Sequence, residues 1–130
     1  MHIVVTGATG FIGRAVVGAA LKRGHRVTAL TRDAEKAKKI LPDNIEIYAG
    51  DTPEKLYKDG SRLIHLAWAD VGKYTQPQNL LDNLEPQFSF LKKMIDGGFT
   101  HLTVGGSCLV YGLLEGALND EAAAAPPPPP

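Results

Sequence analysis

Cysteine is almost missing from this chain. Its 130 residues hold one, Cys108, so no disulfide can close within it and a reducing cytoplasm is the natural setting. Neither sign of charge is in excess, with 14 Lys and Arg against 14 Asp and Glu. No basic stripe interleaves with aromatics, which excludes the usual footprint of a nucleic-acid binder. No apolar run approaches the length of a membrane span. The first strand-like run starts at Ile3, leaving no space ahead of it for a secretory leader. His2, His25 and His101 lack metal-ligand spacing, and His65 lies in a strand-like run that suits a core histidine. These absences leave a soluble intracellular domain whose length suits one core, with no nucleic acid, membrane or metal implied.

What is present is glycine in a particular place. Ile3, Val4 and Val5 form a short β-branched run, suited to a strand buried on both faces of a parallel sheet. Gly7, Gly10 and Gly13 follow, and then an apolar-periodic segment opens. Gly7 can take backbone angles closed to other residues and turn the chain off the strand. Gly10, lacking a Cβ, lets a pyrophosphate approach the free N–H groups at a helix start. Gly13 lets the helix pack closely. A strand, a tight turn and a helix are the context this triplet needs before it reads as a dinucleotide cradle. The expected contacts in the cradle are Gly7, Thr9, Gly10, Phe11, Ile12 and Gly13.

The rest of the chain alternates. A helix is predicted over 11–23 with Ile12, Val16, Ala19, Ala20 and Leu21 on its apolar side and Gly24 as its stop. A strand over 25–31 follows. A short basic helix comes next, capped by Asp33 and ended by Pro42. Strand 45–48 leads to Gly50-Asp51, where Asp51 or Thr52 caps a brief helix opening at Pro53. A fourth strand is predicted over 63–68. After a polar loop, a helix over 79–96 carries Leu80, Leu81, Leu84, Phe88, Leu91 and Ile95 at helical spacing, with Pro86 expected to kink it or remove a hydrogen bond. A fifth strand at 101–104 runs into Gly105-Gly106-Ser107. Such alternation implies right-handed βαβ units and an α/β fold of the Rossmann type. The doubly wound parallel sheet would have about five strands in the order 3-2-1-4-5, with a ligand over the carboxyl ends of strands 1 and 4. Residues 1–120 form the expected domain. Residues 121–130 are an Ala/Pro-rich tail without periodicity, which reads as a linker, a truncation point or an artificial ending.

With these motifs placed, residues 1–120 resemble the extended short-chain dehydrogenase/reductase family of nucleotide-sugar epimerases, dehydratases and reductases. Thr6-Gly7-Ala8-Thr9-Gly10-Phe11-Ile12-Gly13 matches its Thr-Gly-x-x-Gly-x-x-Gly fingerprint. Gly50-Asp51 resembles its adenine-contacting aspartate. His65-Leu66-Ala67-Trp68 is similar to its His-x-Ala-Ala motif beside the nicotinamide ribose, which assigns cofactor contacts to Leu66 and Ala67. Asn83 falls where the family's long helix has an asparagine that supports the active site, with Pro86 replacing the usual glycine. Ser107 with Val110-Tyr111-Gly112 resembles the segment whose serine orients a substrate carbonyl. The resemblance implies an NAD(P) cofactor, a nucleotide-sugar substrate, and a Tyr-x-x-x-Lys pair as acid/base machinery. That pair is not in this chain: Tyr48, Tyr57, Tyr74 and Tyr111 precede Thr52, Ser61, Gln78 and Glu115 by four positions. The expected chain is therefore truncated before its catalytic helix and inactive by itself.

Several residues carry two readings. Thr31 ends strand 2, where an acidic residue would favour NAD, and Arg32 beside it is either a partner for a 2′-phosphate or a solvated turn residue; the balance favours NADP. Arg14 is either a further phosphate contact or a surface arginine. Asp51 is an acceptor for adenine, a helix cap, or both. Asn83 either supports the site or faces solvent. Ser107 is the one catalytic candidate, against the plainer reading of a turn serine. Three functions follow: the cofactor half of a nucleotide-sugar enzyme, a non-catalytic NADP-binding sensor, and a trimmed scaffold. Without the helix after strand 5, part of one sheet face is expected to be uncovered, so self-association and a possible homodimer are expected.

Overall fold

The computed structural model describes residues 1–50, 52, 54–58, 60–69 and 76–107. Asp51, Pro53, Cys108, the 110–112 segment and the 121–130 tail lie outside the described residues. Strand β1 (His2–Thr6) is followed by α1 (Phe11–Lys22), β2 (Arg26–Thr31), α2 (Ala34–Ile40), β3 (Glu46–Ala49), α3 (Lys55–Lys58), β4 (Arg62–His65), α4 (Pro77–Asp96) and β5 (Leu102–Val104). The strands pair in parallel in the order β3-β2-β1-β4-β5, as the alternation predicts.

Period-two alternation in β1 and its neighbours divides the core in two. Ile3, Val5, Val27 and Ala29 point to the α1 and α2 side, where they pack with Ala8, Val17, Ala20, Ala37 and Leu41. Val4, Leu30 and Leu63 point the other way, onto Leu56, Met94 and Phe99. Every residue of β1 is buried, which is the environment its β-branched run requires. Asp33 caps α2 as expected, its carboxylate accepting from the Lys36 N–H at 2.9 Å.

Three local expectations are corrected. The buried side of α1 is Gly13, Val17 and Ala20, while Ile12 is 62% exposed and Ala19 also faces outward. Gly13 sets that rotation, because only a residue without a side chain fits against the preceding turn, and positions four and seven residues later follow it inward. β4 ends at His65 rather than running on to Trp68. The Leu66 amide there is shared between the Thr6 carbonyl and the Thr6 hydroxyl, both at 3.2 Å, and the Ala67 amide turns to the hydroxyl alone at 3.3 Å. In α4 most of the expected apolar stripe points away from the sheet: Leu81, Leu84, Phe88 and Ile95 are exposed, while Leu91 packs on the core as expected, beside Phe90 and buried Met94, and Asn79 and Asn83 are buried. The helix begins at Pro77, a comfortable first-turn position, and continues through Pro86. Pro86 is exposed, so water can satisfy the carbonyl that its missing N–H leaves unpaired.

Candidate functional site

Parallel strands bring the carboxyl ends of β1, β2, β4 and β5 to one edge of the sheet, and the predicted site residues collect there. Thr6 ends β1. Gly7 follows in the left-handed region at φ 67°, where a side chain is strained. A Cβ at Gly7 would stand 2.7 Å from the Leu66 carbonyl carbon and 2.8 Å from the Ala67 nitrogen, so the turn lies directly on the segment after β4. A Cβ at Gly13 would stand 2.1 Å from the Gly7 carbonyl oxygen and 2.7 Å from the Ala8 Cα. The close approach expected of Gly13 is therefore made to the turn itself rather than to the strand.

Gly10 differs from these two. Its φ of −73° and ψ of 174° are open to any residue, and an added Cβ would meet only the Gly7 oxygen, at 3.2 Å. That contact is tight, and no other described atom lies within 4 Å of the added Cβ. Gly10 caps α1 with no side-chain hydrogen bond, and the first turn carries no acidic residue. The Gly10 N–H donates back to Gly7 at 3.0 Å, and the first bond of the helix is Arg14 N–H to the Gly10 carbonyl at 3.0 Å. The amides of Phe11, Ile12 and Gly13 precede that bond and point out of the helix end, where the macrodipole concentrates positive potential. Phe11 and Ile12 are exposed beside them and Thr9 is half-buried. A helix start of this kind can hold a diphosphate, and the residues present fit one.

The floor of the crevice is fixed by side chains. The Thr6 hydroxyl accepts from the Leu66 and Ala67 amides and donates to His65 Nδ1 at 2.7 Å. His65 Nε2–H donates to Gln87 Oε1 at 2.6 Å, and Gln87 Nε2 donates to the Ala67 carbonyl at 2.9 Å. Burial pushes the His65 imidazole below its ordinary pKa, and the hydrogen bond to Gln87 partly opposes that. Further along, fully buried Asn83 accepts from the Ala69 amide at 2.8 Å and donates to the Ala69 carbonyl at 3.1 Å. Asn83 thus holds the loop after β4 and does not face solvent.

At the end of β2, the Thr31 hydroxyl accepts from the Asp33 amide at 3.2 Å, and Arg32 is exposed beside it. Ser107 is exposed beyond β5, after the Gly105 amide has extended the ladder to the His65 carbonyl at 2.9 Å. Gln87 and Asn79 were not among the residues predicted for the site. Their signal was present as a polar series at spacing four, Asn79-Asn83-Gln87, running down one side of the helix.

Comparison with known proteins completes the description. The family model described as the NAD dependent epimerase/dehydratase family matches residues 3–130. The chain belongs to that family. It is 32% identical over 126 residues to dTDP-6-deoxy-L-talose 4-dehydrogenase (NAD(+)) of Aggregatibacter actinomycetemcomitans, covering 92% of this chain and 46% of that protein. MoeE5 in complex with UDP-glucose and NAD superposes with a TM-score of 0.74 at 26% identity, over 97% of this chain and 43% of that one. The UDP-glucose-4-epimerase of Stenotrophomonas maltophila, solved with NAD and formylated UDP-arabinopyranose, shares the fold with a TM-score of 0.77 at 21% identity, over 96% of this chain and 43% of that one. The chain spans under half the length of these relatives. Among the described residues of this epimerase/dehydratase-family chain, no helix is long and apolar enough to cross a membrane.

Proposed function

We propose that this chain is the dinucleotide-holding part of an oxidoreductase or epimerase that acts on a nucleotide-linked sugar. The observation that carries the reading is Gly10. Gly7 and Gly13 are required by the protein's own backbone, whereas a Cβ at Gly10 would meet a single described protein atom within 4 Å, in front of an uncapped helix start. A diphosphate is the group that such a start recognises. The relatives named above, one an NAD(+)-dependent deoxysugar dehydrogenase and one bound to UDP-glucose and NAD, support the sugar and cofactor classes.

In this reading the amides of Phe11, Ile12 and Gly13 hold the diphosphate, with Gly7, Thr9 and Gly10 shaping the turn around it. Leu66 and Ala67 form the floor under the far half of the cofactor. Asp51 receives the adenine edge, and Ser107 points a hydroxyl at the substrate carbonyl. A bound nicotinamide supplies the hydride chemistry, and the protein supplies placement and electrostatics. Thr31 offers no carboxylate to a ribose hydroxyl and Arg32 offers a planar cation, so NADP is favoured over NAD. A second copy of the chain is the expected partner, packed against the exposed apolar face of α4.

Fluorescence titration with NADPH and NADH tests this. The expected result is saturable binding of both, NADPH the tighter, with Arg32→Glu reversing the order. Failure to bind either nucleotide would end the proposal.

A further inference from the structure

The hydrogen bonds beneath the crevice form a closed circuit with one consistent assignment of protons. Thr6 has one hydroxyl hydrogen and two lone pairs. Both lone pairs are used by the Leu66 and Ala67 amides, so the hydrogen goes to His65 Nδ1. Nδ1 is then the unprotonated nitrogen and Nε2 carries the hydrogen, which Gln87 Oε1 receives. That orientation turns the Gln87 amide nitrogen to the Ala67 carbonyl, closing the loop on the segment where it began. Phe90 stacks on the ring at 5.0 Å and fixes its plane. The side chains that hydrogen-bond to or stack on the ring, Thr6 on β1 and Gln87 and Phe90 on α4, are all uncharged.

We infer that His65 and Gln87 are positioning residues: α4, through the Gln87–His65–Thr6 circuit, sets the height of the Leu66–Ala67 floor and of the Gly7 turn resting on it, and so sets dinucleotide affinity. This rests on the dinucleotide reading above. The leverage comes from contact, since the Leu66 and Ala67 backbone lies where a Cβ of Gly7 would be. A floor displaced by a few tenths of an ångström displaces Gly7, and with it the amides that follow. The circuit also has a failure mode. A second proton on His65 makes Nδ1 a donor toward Thr6 Oγ1, whose acceptor capacity is already filled; Leu66 keeps the Thr6 carbonyl, and the Ala67 amide is the one that loses its partner. Burial of His65 keeps this from happening near neutral pH.

The test is NADH and NADPH affinity between pH 5 and 8, measured on the whole chain and on Gln87→Met and Gln87→Glu. Gln87→Met keeps the volume and removes both hydrogen bonds, and a rise of roughly five- to tenfold in Kd at pH 8 is expected from loosening the floor. Gln87→Glu places a carboxylate against Nε2–H, favours the doubly protonated ring, and moves the acid-side loss of affinity to higher pH than in the unsubstituted chain. A purely structural role would move melting temperature without moving that pH midpoint. An unchanged Kd in a folded Gln87→Met, or the same midpoint in Gln87→Glu, overturns the inference and leaves the cofactor reading intact. Absence of binding by the unsubstituted chain overturns both. If both variants fail to fold, imidazole nitrogen NMR of the unsubstituted chain decides: protonated Nε2 with bare Nδ1 supports the circuit, and the opposite tautomer refutes it.

Discussion

Glycines with the same name do opposite work in this chain. Gly13 stands against the Gly7 carbonyl with no space for a methyl group. Gly13→Ala should therefore cost about 1–3 kcal/mol through forced displacement of the turn. Gly18 lies in the same helix, and a Cβ there would meet nothing within 4 Å. Gly18→Ala should stabilise by about 0.5–1 kcal/mol through helix propensity and chain entropy. Urea denaturation of the two variants should move in opposite directions, and a shared direction would refute the geometry of the turn. His65 gives the second prediction at this scale. Its pKa is lowered in the fold from an ordinary 6.5. The unfolded chain takes up that proton first as pH falls, so this contribution to stability is complete above about pH 6.5 and declines below it. Denaturant midpoints at pH 7.5 and 5.5 should separate more in the unsubstituted chain than in His65→Gln; equal separations would remove His65 from the account.

Among the elements, what was legible in the sequence was what local chemistry decides. The β-branched run of β1, the left-handed turn at Gly7 and the Asp33 cap are decided by local chemistry, and the structure has each of them as read. The orientation of α4 was not legible, because Asn79, Asn83 and Gln87 share its inner side with Phe90, Leu91 and Met94. Asn79, Asn83 and Gln87 are stable inside the molecule only because Ala67, Ala69 and His65 present hydrogen-bonding groups from far along the chain. Of the residues that hydrophobic periodicity selected as the inward face, Leu91 packs on the core, and Leu81, Leu84, Phe88 and Ile95 are exposed. The end of β4 was hidden for a similar reason, since a threonine in another strand captures its next two amides. The exposed stripe on α4 carries its own consequence. Large apolar side chains in one band favour an isologous pairing of two copies. Sedimentation should show concentration-dependent dimers that Leu84→Glu with Phe88→Glu abolishes while far-UV dichroism is kept. A monomer at all concentrations would contradict this.

Across the whole molecule, the strand order makes one edge functional. With every strand parallel, the ends of β1, β2, β4 and β5 open on the same crevice. Two of its walls are tied together by Thr6, which belongs to β1 and holds the segment after β4. The fold thereby presents a rigid floor and an open helix start, while the amino-terminal edge carries none of the proposed site. The chain spans under half the length of its relatives. What the present chain must do by itself is grip a diphosphate. The most direct measurement is calorimetric titration of NADPH and NADH into the chain and into Gly10→Val, with melting temperatures recorded alongside. The prediction is a roughly tenfold or greater loss of affinity with the cooperative melt retained, because a Cβ at Gly10 meets a single described protein atom within 4 Å, the Gly7 oxygen. Unchanged affinity in a folded Gly10→Val would mean that the turn is a bend and not a binding site.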